Sequence, residues 1–205
     1  MIGVKFVHEY SKGSEAALIV LHEIYGLNRH IQEVCKKYSD DGYDVYCPNL
    51  LRLEKPFDES QQEEAYDYFA KNIGLDVFQE VNELIKRLRP DYKKIVLLGY
   101  SVGATIAWRC IENGLCDAMI GCYGSRIRDY MSITPKIPAL LVFADGEKSF
   151  DPKETVRLLG EKENVSVHLL KATHGFCNPY CAEYNLESAK KADRLIQGYL
   201  AKLKD

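Results

Sequence analysis

Ile95-Val96-Leu97-Leu98-Gly99-Tyr100-Ser101-Val102-Gly103-Ala104-Thr105-Ile106-Ala107-Trp108 lies near the middle of the chain and joins two apolar patterns of different period. Residues 95–98 are an apolar run that reads as a buried strand, and residues 104–108 continue as an apolar helical pattern. Between them lies Gly-Tyr-Ser-Val-Gly, a G-x-S-x-G pentapeptide in the strand–turn–helix setting that a nucleophile elbow requires. A serine on so sharp a turn holds strained backbone angles, and the flanking glycines let strand and helix approach closely. Ser101 is therefore the candidate nucleophile. The competing reading is a Gly-rich turn whose serine merely caps the helix.

Outward from this stretch the chain alternates strands and helices. Residues 3–10 alternate apolar and polar, as an edge strand does. Residues 16–21, 43–47, 118–123, 139–143 and 165–170 read as further strands, several of them apolar enough to be buried on both faces. Helical spacing is read over 27–39, 61–71, 75–88, 153–162 and 186–203, and the elbow helix runs to the stop signal Asn113-Gly114. Such alternation predicts an α/β fold with a mostly parallel central sheet and helices on both faces. In such sheets the ligand crevice lies beyond the carboxyl ends of the strands, so candidate site residues are sought there.

The 205 residues, 46% of them hydrophobic, suffice for one sizeable core, and a single domain over 1–205 is expected. The 27 basic and 30 acidic side chains are spread evenly, with no basic stripe for nucleic acid. Residues 1–10 lack the apolar core of a secretory leader, and no apolar run is long enough to span a membrane. The seven cysteines are odd in number and several sit in apolar patterns, which suggests buried thiols in a reducing cytoplasm. Cys177 and Cys181, with His168 and His174 nearby, lack a second ligand pair, so no metal is expected.

A serine hydroxyl needs a base within hydrogen-bond reach. Downstream of Ser101 there are two histidines. His168 sits inside an alternating strand and reads as structural, whereas His174 lies in a loop just past that strand, where the base belongs. The oxyanion donors are expected to be the N–H groups of Val102, next to the nucleophile, and of Ile24, in the loop after the strand 16–21. His22-Glu23 begins like a zinc-protease H-E-x-x-H motif, but position 26 is Gly and that reading fails. Tyr25 and Tyr123 follow strands and are candidates for the pocket wall, and Trp108 reads as core. Tyr123-Gly124-Ser125-Arg126 ends the strand 118–123 and is a candidate substrate wall.

Taken together, His22-Glu23-Ile24-Tyr25-Gly26-Leu27-Asn28, Gly42-Tyr43, Pro48-Asn49-Leu50, Gly99-Tyr100-Ser101-Val102-Gly103 and His174-Gly175-Phe176 resemble the dienelactone hydrolase family over nearly the whole chain. The resemblance implies an α/β-hydrolase fold without a large inserted cap, acting on lactones and esters, with Glu23 in the active site touching the nucleophile. Three departures stand out. Ser101 replaces the cysteine of the type enzymes, and the two arginines that bind the substrate carboxylate in the family are matched by Gln62 and Asn178. Tyr66 does match and is placed in the pocket. Losing both arginines argues against dienelactone itself as the substrate.

The acid is the ambiguous member. Aligning the strand 139–143 with the family places Glu147 at the acid position, and strand register is trusted over loop length. Asp151 is the second choice, although before Pro152 it also suits the start of a helix, and Asp145 is the third. The expectation is thus a serine hydrolase with the triad Ser101, His174 and Glu147, needing no cofactor, active on a small-molecule ester or lactone, as a monomer or homodimer. Its rivals are a thioesterase or acyltransferase with the same triad, and a non-catalytic relative that binds a small ligand.

Overall fold

The computed structural model describes residues 7–203. Seven strands form one sheet in the order β1-β3-β2-β4-β5-β6-β7. They are β1 (Val7–Tyr10), β2 (Ala16–Leu21), β3 (Asp44–Pro48), β4 (Lys94–Tyr100), β5 (Ala118–Cys122), β6 (Ala139–Ala144) and β7 (Val165–Leu170). Only the edge pair β1–β3 is antiparallel, and every other neighbouring pair is parallel. The strand expected over 3–10 is described from Val7 onward, and its residues 3–6 lie outside the described range.

Alternate strand residues feed two separate cores. Ala17, Ile19, Leu21, Ile95, Leu97, Met119, Leu141 and Phe143 face one layer, built from α2 (Gln62–Asn72), α3 (Phe78–Leu88), α4 (Val102–Cys110) and α5 (Pro152–Gly160). Leu18, Val20, Val45, Val96, Leu98, Ile120, Leu140 and Val142 face the other, built from α1 (Arg29–Asp40) and α6 (Leu186–Lys202). The strict alternation is the two-residue period of a strand. Because both faces are covered, the central strands are apolar throughout. Trp108 is fully buried and donates from Nε1 to the Tyr130 carbonyl at 3.0 Å. No cap interrupts the sheet among the described residues, and none of their helices is long and apolar enough to cross a membrane.

Local chemistry adjusts several expected boundaries. The first helix starts at Arg29 because the Asn28 side chain caps it by accepting from the Ile31 amide. The helix expected over 75–88 begins as a 3₁₀ turn, Leu75–Val77, before α3. A second 3₁₀ segment, Ser125–Tyr130, follows β5, where only a wall was expected.

The glycines of the elbow are steric requirements. A Cβ on Gly99 would stand 2.3 Å from the Gly103 carbonyl oxygen, and one on Gly103 would stand 2.2 Å from the Leu21 carbonyl oxygen. Both neighbours are backbone and cannot swing aside. Gly103→Ala is accordingly expected to destabilise the protein by about 3 kcal/mol or more, at the upper end for point substitutions. The midpoint of urea unfolding, followed by circular dichroism, measures this.

Candidate active site

Ser101 occupies the turn between β4 and α4 with φ +53° and ψ −117°, conformational space that L-residues rarely occupy. The turn holds because the Ser101 carbonyl accepts from the Ala104 and Thr105 amides while its own N–H donates to the Cys122 carbonyl on β5. Its Oγ lies 2.8 Å from His174 Nε2. His174 sits in the loop after β7, and its Nδ1 lies 2.8 Å from Glu147 Oε1. The Glu147 side chain is only 4% exposed against 37% for His174, so the carboxylate is shielded while the imidazole opens toward the cavity.

The three candidate acids take distinct places. Glu147, in the loop after β6, is the carboxylate on His174. Asp151 caps α5, accepting from the Lys153 and Glu154 amides ahead of Pro152 at the helix start. Asp145 accepts from the Ala172 amide and so ties the loop after β6 to the loop after β7. Two further bonds, from the Asp145 amide to Leu170 and from the Gly146 amide to Ala172, strengthen that tie.

A cavity of about 720 Å³ opens above Ser101 and His174. Glu23, Ile24, Tyr25, Tyr66 and Val102 line it, together with Gln62 and Asn178. Val102 opens α4, so its N–H has no partner within the helix. Ile24 lies in a turn closed by the Gly26 amide on the Glu23 carbonyl, at 3.3 Å. Tyr123 departs from expectation. It is fully buried and does not line the cavity. Its amide still bonds Val142, so it prolongs the pairing of β5 with β6, and its ring packs edge-on beneath His174 and Phe176 at 5.2 and 5.3 Å.

Glu23 is the unusual member. It is 3% exposed, and no salt bridge reaches it among the described residues. Its Oε2 accepts from Asn178 Nδ2 at 3.4 Å, and the same amide reaches Glu59 Oε1 at 3.4 Å. One neutral amide therefore serves two carboxylates. Burial pushes the Glu23 carboxyl up to about 7, and Glu59 adds to the rise. The charge of His174, the Tyr123 hydroxyl and the Asn178 amide oppose it. The Asn178–Glu59 link escapes sequence reading, since Glu59 lies 119 residues away, in a 3₁₀ turn (Glu59–Gln61) that nothing in the sequence ties to Asn178.

Arg126 and Arg128 both line the cavity. Arg126 is paired with Asp129 at 2.7 Å, and Arg128 lies over the Phe150 ring with Nη1 donating to the Ser125 carbonyl. His168 stays on β7 beside Ser166, away from the cavity. All seven cysteines are free thiols, five of them buried. Cys181 lines the cavity, and burial raises its thiol to about 11, unfavourable for a nucleophile.

The model of the dienelactone hydrolase family matches residues 5–203. The uncharacterized protein YczH of Bacillus subtilis is 35% identical over 170 residues, covering 82% of this chain and 84% of that protein. A carboxymethylenebutenolidase of Pseudomonas putida is 25% identical over 209 residues, covering 94% and 88%. Among solved structures, a dienelactone-hydrolase-like promiscuous phosphotriesterase from metagenomic libraries superposes with a TM-score of 0.72 at 14% identity, over 94% of this chain and 88% of its own. At that identity the likeness speaks for the fold.

Glu23 sets a dependence of stability on pH. An unfolded glutamate titrates near 4.5 and the folded Glu23 near 7, so the folded state holds an extra proton between these values. Its stability falls as pH rises through that window. Glu23→Gln removes the effect. From about pH 4.5 to about pH 8 the variant should gain on the wild type by roughly 3 kcal/mol, read from paired denaturant titrations at each pH.

Proposed function

Since the chain belongs to the dienelactone hydrolase family, we propose that it is a serine hydrolase that cleaves an ester or lactone of a small molecule through an acyl-enzyme. One observation carries this reading: the hydrogen-bonded relay from Ser101 through His174 to Glu147, with both contacts at 2.8 Å. Nucleophile, base and orienting acid stand in the order that a serine needs.

Ser101 Oγ attacks the substrate carbonyl as His174 Nε2 takes its proton. Glu147 holds Nδ1–H, keeps the productive tautomer and stabilises the imidazolium. Negative charge develops on the former carbonyl oxygen and is met by the N–H groups of Val102 and Ile24. The imidazolium then protonates the leaving oxygen, and water, activated by the same imidazole, releases the acid. In a lactone the leaving oxygen stays tethered, so a single hydroxy acid departs.

Gln62 and Asn178 bear on the choice of substrate. Both line the cavity, and neither carries the charge needed for bidentate carboxylate binding. Tyr25 and Tyr66 give the same wall an aromatic surface. This supports esters and lactones other than dienelactone.

Two measurements test the reading. Wild-type protein should hydrolyse p-nitrophenyl acetate and take a fluorophosphonate label at Ser101, and Ser101→Ala should lose both. Absence of turnover and label in the wild type would remove the hydrolase reading. Glu147→Gln should lower kcat by about 10⁴-fold, by analogy with other triads, while Asp151→Asn acts mainly on stability through its lost cap, by about 1 kcal/mol.

A further inference from the structure

His22 is fully buried directly before Glu23, and the hydrolytic cycle leaves it without a task. Both of its ring nitrogens are engaged. The Leu50 amide donates to Nε2 at 3.0 Å, and Nδ1 lies 2.6 Å from the Glu23 carbonyl oxygen. A backbone amide can only donate, so Nε2 carries the lone pair and the ring proton sits on Nδ1. Nδ1–H therefore donates to the Glu23 carbonyl. Burial lowers the His22 pKa to about 4, which preserves this neutral form at ordinary pH.

The carbonyl that His22 grips belongs to the peptide unit whose N–H is that of Ile24. No peptide bond among the described residues is cis. In a trans peptide, C=O and N–H lie in one plane and point in opposite directions. Fixing the Glu23 oxygen on one side therefore aims the Ile24 N–H toward the other. The Gly26 amide, at 3.3 Å from the same oxygen, is a looser second hold. His22 itself is anchored from outside the turn, because Leu50 follows β3. The opposite donor is braced independently: Gly103, next to Val102, is packed against the Leu21 and His22 carbonyls.

We propose that His22 is a positioning residue for the oxyanion site, aiming the Ile24 N–H by clamping the Glu23 carbonyl through Nδ1–H. This rests on the hydrolase reading and extends it to a residue that never touches substrate. Its role is confined to the transition state, because ester oxygen and oxyanion occupy different positions and only the second needs the aimed N–H.

Two substitutions separate the two ring nitrogens. In His22→Asn the side-chain amide replaces Nδ1–H and leaves Leu50 without an acceptor. In His22→Gln the longer amide reaches the Nε2 position, accepts from Leu50 and releases the Glu23 carbonyl. The Gln variant should lose kcat toward p-nitrophenyl acetate by about 10²-fold with KM little changed, as when an oxyanion donor is removed. Its affinity for a trifluoromethyl ketone, whose adduct with Ser101 carries the oxyanion, should fall in proportion. The Asn variant should recover kcat and ketone affinity by about tenfold over Gln, even where its melting temperature is no higher.

A purely structural histidine would make kcat follow stability in both variants. Equal losses of kcat in Asn and Gln, or a loss confined to KM, would overturn the proposal. If the Gln variant does not fold, the Asn variant decides: ketone affinity within about tenfold of wild type supports the clamp, and a loss of about 10²-fold overturns it. Wild-type protein that neither turns over ester nor takes the fluorophosphonate label would overturn the hydrolase reading and the clamp together. Turnover with an unaffected Gln variant would overturn the clamp alone.

Discussion

Backbone meets backbone where α4 starts against the end of β2. No side chain fits between Gly103 and the Leu21 carbonyl, and none fits between Gly99 and Gly103. This contact turns the chain sharply enough to lift Ser101 out of the sheet and into the cavity at φ +53°. It also brings the first amide of α4 beside the loop that carries Ile24. Strain at one residue is sustained by packing at its neighbours, where the apolar face of α4 lies buried on the sheet.

The polar chemistry is distributed around that contact in two unlike halves. On one side His174 has a shielded carboxylate behind it. On the other, Glu23 is buried with no cation paired to it among the described residues, and the amide it accepts from is shared with Glu59. A cation at position 178 would hold Glu23 ionised, whereas with asparagine there the carboxyl titrates at about 7. Ser101 and Asn178 thus line the same cavity.

Most of the fold is legible in the sequence because buried parallel strands are short apolar runs and their helices carry stripes. Ser101 and His174 are legible through chain order, and Glu147 through strand register, since β6 pairs with β7 from Ala139 to Ala144 and leaves little freedom beyond. What stays hidden depends on direction rather than position. Tyr123 follows a strand as Tyr25 does, yet one more residue of sheet bonding turns its ring under His174 and away from the cavity. Asn178 meets Glu59 through tertiary packing alone, and the two bonds of His22 depend on the return of a distant loop at Leu50. Periodicity carries no trace of such contacts.

The lacing of the loops after β6 and β7 bears on how the site is held together. Asp145 and Gly146 hold Leu170 and Ala172 by three hydrogen bonds, just ahead of Glu147 and His174. Glu147 and His174 are therefore carried by two loops laced to each other, while Ser101 is carried by the turn that packs α4 against β2. The Ser101–His174 contact thus joins two separately built supports.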